Sequence, residues 1–245
     1  MMGCLRIDHP DIEAFIEVKR DRNRLRNFNL SVLVTDAFMR TLAADEEWEL
    51  RFAGVVHGSV PARALWRRLM QATYDVAEPG VIFIDRVNQH NNLAYCEEIV
   101  GSNPCGEQML PAYGACLLGS INLAQLVPQP FAPDSSLNEA ELADLTTTAV
   151  RFLDNVIDVS RYPLPQQEAE AKSKRRIGLG ITGLADALLF CNARYGSEQA
   201  IALTCRWLDT IRHAAYRASA LLAAEKGCFP LYDEAMLDRP NLSTL

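Results

Sequence analysis

The chain has 245 residues, a formal net charge of −7 and 49% hydrophobic residues. This size and composition are typical of a globular protein with one large domain or two ordinary ones, and the negative charge argues against nonspecific nucleic-acid binding. We expect no secretory signal, because residues 1–20 carry charges throughout, and no stretch is apolar and long enough to span a bilayer. The seven cysteines include no C-x-x-C pair. They therefore predict a cytoplasmic protein with reduced thiols.

The first third of the chain alternates short strands with helices. An apolar stretch at the start leads into a helix that opens at Pro10, a residue suited to a first helical position. A basic, polar loop follows at Lys19–Asn27. The stretch FNLSVLV (28–34) predicts a buried strand, because it is rich in β-branched and aromatic residues. The next predicted elements are a short helix capped by Thr35 or Asp36 and ending near Ala43, a helix over Val60–Ala77 and a core strand over Val81–Asp85.

The second half continues the alternation. The stretch that starts at Cys116, CLLGSINLAQLV, predicts a strand, and the Pro/Ser-rich stretch Pro128–Ser136 predicts a surface loop. A helix is predicted over Leu142–Ile157, and a long amphipathic helix runs from Ser197 to about Lys226. Short strands between helices indicate the α/β class. The predicted core stripe of the long helix consists of Ile201, Cys205, Leu208, Ile211, Ala215 and Leu222.

Two generic patterns could indicate a dinucleotide cofactor or a zinc ion. Neither pattern is specific enough to predict such a site. The segment GLGITG (178–183) has the spacing of a dinucleotide-binding turn, but its strand is short and the ribose-binding acidic residue is missing at the usual offset. We predict glycines that let a strand pack closely on a helix. His90, Cys96, Cys105 and Cys116 could surround zinc, but they lack the close ligand pairs of structural zinc sites. We therefore expect no zinc and no other metal ligand.

A more specific pattern is NPCGE at Asn103–Glu107. Proline and glycine beside a thiol favour a tight, presented loop. A carboxylate two residues from the thiol disfavours a thiolate nucleophile, for which a cationic neighbour would be required. Two interpretations follow from the residues alone. The stretch is a polar turn without a catalytic role, or Cys105 reacts as a neutral sulfur radical while Glu107 acts on the substrate.

The segment NPCGEQMLPAYGACLLGSINLA (103–124) resembles the finger loop and following strand of ribonucleotide reductase catalytic subunits. It is most similar to the adenosylcobalamin-dependent, class II enzymes. The likeness continues in MGCLRIDHPDIEAFIEVKRD, LRNFNLSVLVTDAFM and RRIGLGITGLADALL, and so covers nearly the whole chain. The resemblance implies that residues 1–245 form part of a ten-stranded α/β barrel with the cysteine loop at its centre. It also implies adenosylcobalamin as the cofactor.

The resemblance implies a role for each residue of the loop. Cys105 becomes the thiyl radical that removes the 3′ hydrogen of a ribonucleotide, and Glu107 takes the proton of the 3′-hydroxyl. Asn103 hydrogen-bonds the ribose hydroxyls, and Pro104 and Gly106 complete the substrate-binding loop. Cys116 matches one member of the cysteine pair that closes into a disulfide when the 2′-hydroxyl leaves.

The resemblance also implies partners. Arg22, Arg24, Arg26 and Asn27 match the loop that relays the specificity signal of a nucleotide effector, although a solvated basic loop would look the same. The expected substrate is a ribonucleoside diphosphate or triphosphate, and the expected reductant is a thioredoxin-like or glutaredoxin-like protein. A homodimer is implied for the complete subunit. Neither nucleic acid nor a membrane is expected as a partner.

Some motifs of the family are not found in the sequence. They are the second reducing cysteine, one phosphate-binding loop and the C-terminal cysteines that re-reduce the site. The chain is therefore expected to be a middle section of a longer subunit. Three interpretations stay open: a cobalamin-dependent reductase, an iron-dependent class I subunit, or an incomplete fragment that only folds or binds with a partner chain.

Overall fold

The computed structural model describes residues 1–234, which form two compact units: unit 1, Met1–Ala112, and unit 2, Tyr113–Glu234. Both units combine helices with strands, which confirms the predicted α/β class. The expected barrel differs from what is found, because the strands of the described residues form four sheets of two or three strands and do not close. Across residues 1–234, no helix has both the length and the apolar composition needed to cross a membrane.

Unit 1 is built on a three-stranded parallel sheet in the order β1–β2–β5. Three helices cover one face of this sheet, and a β-hairpin covers the other. In chain order the elements are β1 (Met2–Arg6), α1 (Ile12–Glu17), β2 (Asn29–Val34), α2 (Asp36–Ala44), β3 (Glu47–Phe52), β4 (Val55–Pro61), α3 (Ala62–Val76), β5 (Gly80–Phe83), α4 (Ile84–Gln89), β6 (Ile99–Ser102) and β7 (Met109–Pro111).

Strand β2 is buried from Leu30 to Val34, and Ser31 is the one polar residue in that stretch. Val32 and Val34 pack with helices α1 to α3, whereas Leu33 packs on the opposite face with Ile82 and Ile99. A central parallel strand covered on both sides gives a near-continuous hydrophobic run rather than an alternation. The predicted strand at 28–34 is therefore confirmed, and so is the cap of α2, where the Thr35 hydroxyl accepts from a backbone N–H.

The helix expected to open at Pro10 begins at Ile12. Two further boundaries in unit 1 differ from the sequence prediction. The helix expected from Val60 begins at Ala62, because Val60 and Pro61 belong to strand β4, which pairs with β3 in an unpredicted antiparallel hairpin. The strand expected over Val81–Asp85 ends at Phe83, where α4 starts. In both places a β-branched residue beside a helix start made strand and helix indistinguishable by periodicity alone.

Unit 2 contains a two-stranded parallel sheet flanked by helices. Strand β8 pairs with β9 from Leu117↔Ile177 to Asn122↔Thr182. A buried cluster that includes Leu142, Leu188 and the fully buried Trp207 fills the space beside the sheet. The elements are β8 (Leu117–Asn122), α5 (Glu139–Val159), α6 (Pro165–Lys174), β9 (Ile177–Thr182), α7 (Leu184–Phe190) and α8 (Glu198–Lys226), with a 3₁₀ turn at Leu123–Leu126.

The long helix α8 has the predicted extent but a different core face. Ser197 caps its start and Gly227 follows its end, as predicted. The predicted stripe is wrong in its first half, since Ile201 is 59% exposed and Leu208 is 44% exposed. The large indole of Trp207 decides which face turns inward, and aliphatic spacing alone did not reveal this. The buried positions of the helix are Ala200, Trp207, Ile211, Ala218 and Leu222.

The glycines of the segment GLGITG have structural roles. Gly178 and Gly180 lie inside β9, opposite residues of β8, rather than in a phosphate-binding turn. Gly183 precedes α7 with φ 68°, and a Cβ there would lie 2.5 Å from Asn122 Oδ1. The segment therefore forms a strand, β9, that leads into helix α7.

A cluster of charged side chains fastens the beginning of β9 to helices α5 and α8. Arg175 Nε donates to Asp154 Oδ1 at 2.7 Å, and its Nη1 donates to Asp158 Oδ1 at 2.7 Å. Lys226 Nζ donates to Asp154 Oδ2 at 2.6 Å. Burial raises the pKa of the Asp154 carboxyl, but hydrogen bonds from Arg175 and Lys226 outweigh it and hold that pKa below its usual value.

The substitution Arg175→Gln should lower the free energy of unfolding by about 1–3 kcal/mol, because partly buried carboxylates lose charge-assisted hydrogen bonds. The lowered pKa of Asp154 stabilises the fold above the unfolded-state value of about 4 and loses its effect as pH falls through the folded-state value. The difference from the unsubstituted chain should therefore shrink below about pH 4. Urea unfolding followed by circular dichroism at pH 7 and in acid measures it.

A matched control is available on the same two long helices. Arg151 Nη2 and Glu225 Oε2 are 2.6 Å apart and also join α5 to α8, but this pair is exposed. Because water and salt screen exposed pairs, Arg151→Gln should change the stability measurably less than Arg175→Gln. Equal losses from the two substitutions would contradict the assignment.

Candidate active site

The predicted site loop is carried by the hairpin of β6 and β7. The hairpin packs on the parallel sheet of unit 1 through Ile99 and Met109, which join Leu33 in one apolar cluster. Asn88 of α4 fastens the hairpin further, because its side chain accepts from the Ile99 N–H at 2.8 Å and donates to the Ile99 carbonyl at 3.0 Å. The residues on either side of NPCGE therefore have a rigid base.

Hydrogen bonds of Asn103 close the loop that links the two strands. Its backbone N–H donates to the Gln108 carbonyl at 3.1 Å, and its carbonyl accepts from the Gly106 N–H at 3.1 Å. Its side-chain Oδ1 accepts from the Gln108 N–H at 3.0 Å. Gly106 adopts φ 81°, a conformation that glycine reaches without strain. The composition of NPCGE thus produces the predicted tight loop.

The closed loop presents its functional groups outward. Cys105 and Glu107 are exposed, and Asn103 is half-buried. Pro104, Cys105 and Gly106 line a cavity of about 610 Å³, together with residues of β2 and β5. Asn103 and Glu107 are not among the residues that line this cavity, although they belong to the same loop. Ligand sites in proteins commonly have volumes of about 300–1,000 Å³, so the cavity beside the thiol can hold a small organic molecule.

Two side chains that hold loops of unit 1 were not predicted from the sequence. Asn29, at the first position of β2, donates from Nδ2 to the Pro104 carbonyl at 2.9 Å. Lys19 donates from Nζ to the carbonyls of Leu25 and Phe28, at 2.8 and 2.5 Å, and so shapes the basic loop. For Asn29, the sequence offered one indication of such a role: a polar residue at the start of a buried strand. Lys19 had no signal beyond its position in a basic run.

The basic loop forms a second polar site within unit 1. Arg22, Arg24 and Arg26 line a cavity of about 350 Å³ that Lys19 and Glu78 also border. Asn27 does not line this cavity, and its carbonyl accepts a hydrogen bond from the Met1 amino group at 2.6 Å. The three arginines are exposed and the loop is irregular, an arrangement that suits contacts with an anion.

Cys116 lies in unit 2, one residue before β8. It is half-buried, and its Sγ donates to the Leu117 carbonyl at 3.6 Å. All seven cysteines fall within residues 1–234 and are present as thiols. Burial raises the pKa of the Cys4 thiol, which packs under the hairpin, so Cys4 favours a structural role. The described part of the chain contains no group of three or more histidine, cysteine or acidic side chains placed to hold a metal ion.

The chemistry of the cysteine loop follows from these positions. A thiol, a carboxylate and a carboxamide lie on one short loop, with the thiol at a cavity and the carboxylate exposed. Within residues 1–234 the Asn103 side-chain nitrogen makes no hydrogen bond, so it can donate to a ligand. A carboxylate can accept a proton, and a carboxamide nitrogen can donate a hydrogen bond to a polar ligand.

Comparison with known proteins gives a consistent result. Residues 1–243 match the family model described as the ribonucleotide reductase barrel domain. A vitamin B12-dependent ribonucleoside-diphosphate reductase of Mycobacterium tuberculosis is 39% identical over 241 residues, 97% of this chain and 34% of the relative. One of the same name from Thermoplasma acidophilum is 37% identical over 235 residues, 94% of this chain and 30% of the relative.

A more distant relative is not named as vitamin B12-dependent. A ribonucleoside-diphosphate reductase subunit alpha of Chlamydia pneumoniae is 28% identical over 271 residues, 96% of this chain and 26% of the relative. The chain thus spans between about a quarter and a third of the length of these curated relatives. Because the family model covers almost every residue, the family itself is established. The chain belongs to the ribonucleotide reductase family and matches its barrel domain.

Proposed function

We propose that this chain carries the radical-bearing cysteine of a vitamin B12-dependent reductase that converts ribonucleoside diphosphates into 2′-deoxyribonucleotides and so supplies precursors for DNA. The observation that carries the proposal is the position of Cys105, exposed on a closed loop beside a cavity of about 610 Å³. Family membership supports the reaction class. Relatives named B12-dependent are 37–39% identical, against 28% for the alpha subunit, which favours cobalamin over an iron-dependent radical source.

The first step is hydrogen-atom transfer. The Cys105 thiyl takes the hydrogen atom from C3′, so that an S–H bond forms and the ribose holds an unpaired electron at C3′. Glu107 accepts the proton of the 3′-hydroxyl, which is general-base catalysis by an exposed carboxylate. The Asn103 side-chain nitrogen donates to a ribose hydroxyl and so orients the sugar, since its Oδ1 is already occupied within the loop.

The second stage removes the 2′-hydroxyl. One thiol gives the proton with which the hydroxyl leaves as water, and the other gives the hydrogen that replaces it at C2′. The two electrons come from the two sulfurs as they join in a disulfide, and Glu107 returns the proton of the 3′-hydroxyl. Cys105 then returns its hydrogen atom to C3′ and becomes a thiyl again. We assign one of the two reducing thiols to Cys116, which is half-buried and therefore protected from bulk oxidants.

The position of Cys105 fits an external source of the radical. Its sulfur is exposed, so it can be reached from outside the fold. Adenosylcobalamin, when bound, supplies the radical equivalent that converts a thiol into a thiyl. The residues of this chain contribute the acceptor, Cys105, and the loop that holds it in place.

The wider assembly is part of the same proposal. In the complete protein this chain contributes one segment of a ten-stranded barrel, in which the loop at Asn103–Glu107 is the central finger. Arg22, Arg24 and Arg26, with Asn27, contact a nucleotide effector or the base of the substrate. The cavity of about 350 Å³ that the three arginines line supports an anionic ligand. A thioredoxin-like or glutaredoxin-like protein reduces the disulfide, and the complete subunit is a homodimer.

The substitutions Cys105→Ser and Cys105→Ala should abolish nucleotide reduction in a polypeptide that contains this chain and is active. A hydroxyl or a methyl group cannot form a comparably accessible radical. Deoxynucleotide formation is measured by chromatography, with and without adenosylcobalamin. Cys205→Ala is the matched control, because Cys205 is an exposed thiol on α8 in unit 2. Turnover that survives Cys105→Ala would refute the thiyl assignment.

The substitution Glu107→Gln should lower kcat by about 10²–10⁴-fold, the usual contribution of a general base, while substrate binding is retained. Glutamine keeps the shape of the side chain but cannot take the 3′-hydroxyl proton. Steady-state kinetics gives kcat and KM separately. A changed KM with an unchanged kcat would show that the carboxylate only binds the substrate.

The substitution Cys116→Ser should separate the two stages of the reaction. Hydrogen abstraction at C3′ remains possible, but the missing thiol blocks reduction, so isotope exchange or substrate breakdown replaces the deoxynucleotide. A substrate labelled with tritium at C3′ reports the first stage, and chromatography reports the second. Normal deoxynucleotide yield from this variant would remove Cys116 from the reducing pair.

A further inference from the structure

We propose that Asn29 is a positioning residue for Cys105. Its side-chain Nδ2 donates to the Pro104 carbonyl at 2.9 Å, and that carbonyl belongs to the peptide group that joins Pro104 to Cys105. Fixing this carbonyl fixes the orientation of the peptide plane, because the peptide group is planar. The effect on turnover depends on the proposed function, whereas the effect on the loop does not.

The donor is attached to a rigid part of unit 1. The Asn29 N–H donates to the Met1 carbonyl at 2.8 Å, and the neighbouring Leu30 N–H donates to Glu78 Oε2 at 3.0 Å. Glu78 in turn lies 3.6 Å from Lys19 Nζ. One bond to the Met1 backbone and one to the Glu78 side chain therefore hold the first residues of β2, so that the Asn29 side chain projects from a fixed point.

The acceptor, the Pro104 carbonyl, belongs to the loop at Asn103–Glu107. The hydrogen bonds of Asn103 close this loop but do not attach it to the parallel sheet. The hydrogen bonds of Asn103 join parts of the same loop and its two strands. Of the hydrogen bonds made by residues 103–107 within the described part of the chain, only the bond from Asn29 reaches the parallel sheet. Without it, the positive φ of Gly106 leaves a flexible joint next to the reactive thiol.

The cavity connects this tie to the chemistry. Asn29, Pro104 and Cys105 line the same cavity of about 610 Å³. The direction of the Cys105 side chain into this space depends on the peptide plane that Asn29 holds. Reactions between groups in contact require separations close to 3–3.5 Å, so a small rotation of that plane lowers the rate without removing any reacting group.

Asn29→Asp and Asn29→Ala test the hydrogen bond. At neutral pH aspartate keeps the shape of asparagine but cannot donate, so both variants lose the bond and only alanine loses the shape. Hydrogen exchange is measured on the 245-residue chain by mass spectrometry. The amides of Gly106 and Gln108 should exchange about two- to tenfold faster in both variants, the change expected for one lost hydrogen bond. The amides of β2 should remain within about twofold of their original rates.

Gln71→Ala is the matched control, because Gln71 also donates through a side-chain amide, to Asp75 on the exposed side of α3. It should leave exchange at Gly106 and Gln108 unchanged. Unchanged exchange in Asn29→Asp would overturn the proposal, as would faster exchange throughout β2, which would indicate a general structural role.

Kinetics supplies the second readout. In an active polypeptide, Asn29→Asp should lower kcat about fivefold or more, with KM changed less than about twofold, because the substrate still binds beside a misdirected thiol. A change in KM alone would contradict positioning. If the unsubstituted polypeptide reduces no nucleotide, the proposed function fails, and the exchange experiment still decides whether Asn29 holds the loop.

Discussion

Three hydrogen bonds of Asn103 close the loop between β6 and β7. Its backbone N–H reaches Gln108, its carbonyl receives the N–H of Gly106, and its side-chain oxygen receives the N–H of Gln108. These bonds satisfy backbone groups that would otherwise require water, and they hold a loop that contains both a proline and a glycine in one shape. Every role that we propose for Cys105 and Glu107 requires that shape.

The closed loop is held in place by the hairpin that carries it and by the sheet on which the hairpin packs. The hairpin that carries it is buried through Ile99 and Met109 against the parallel sheet, and Asn88 satisfies both backbone groups of Ile99. The sheet itself is covered on its other face by three helices. Side chains of a functional site keep their geometry when a second layer of contacts fixes their own conformations. Unit 1 supplies that layer, and Asn29 completes it from β2.

Much of this could be predicted from the sequence. β-Branched residues identified β2, and the residues of NPCGE identified a tight loop with a presented thiol. The β3–β4 hairpin was not predicted because most of its residues are exposed on both faces. The sequence of β4, in particular, shows no alternation of apolar and polar residues. The face of α8 was predicted wrongly because apolar residues occupy two sides of that helix, and packing around Trp207 chose between them. The contact between Asn29 and Pro104 joins residues 75 positions apart, which no local pattern can predict.

That separation bears on the order in which the protein folds. The pairings of β1 with β2, and of β2 with β5, already join distant parts of the chain, and such contacts form slowly because loop entropy must be lost first. The bond between Asn29 and Pro104 can form only after the start of β2 is in place. Under the role that we propose for Asn29, the thiol of Cys105 acquires its final direction only after β2 has joined the sheet. A chain that is still incomplete in its sheet holds the same residues but not the arrangement that the proposed radical chemistry requires.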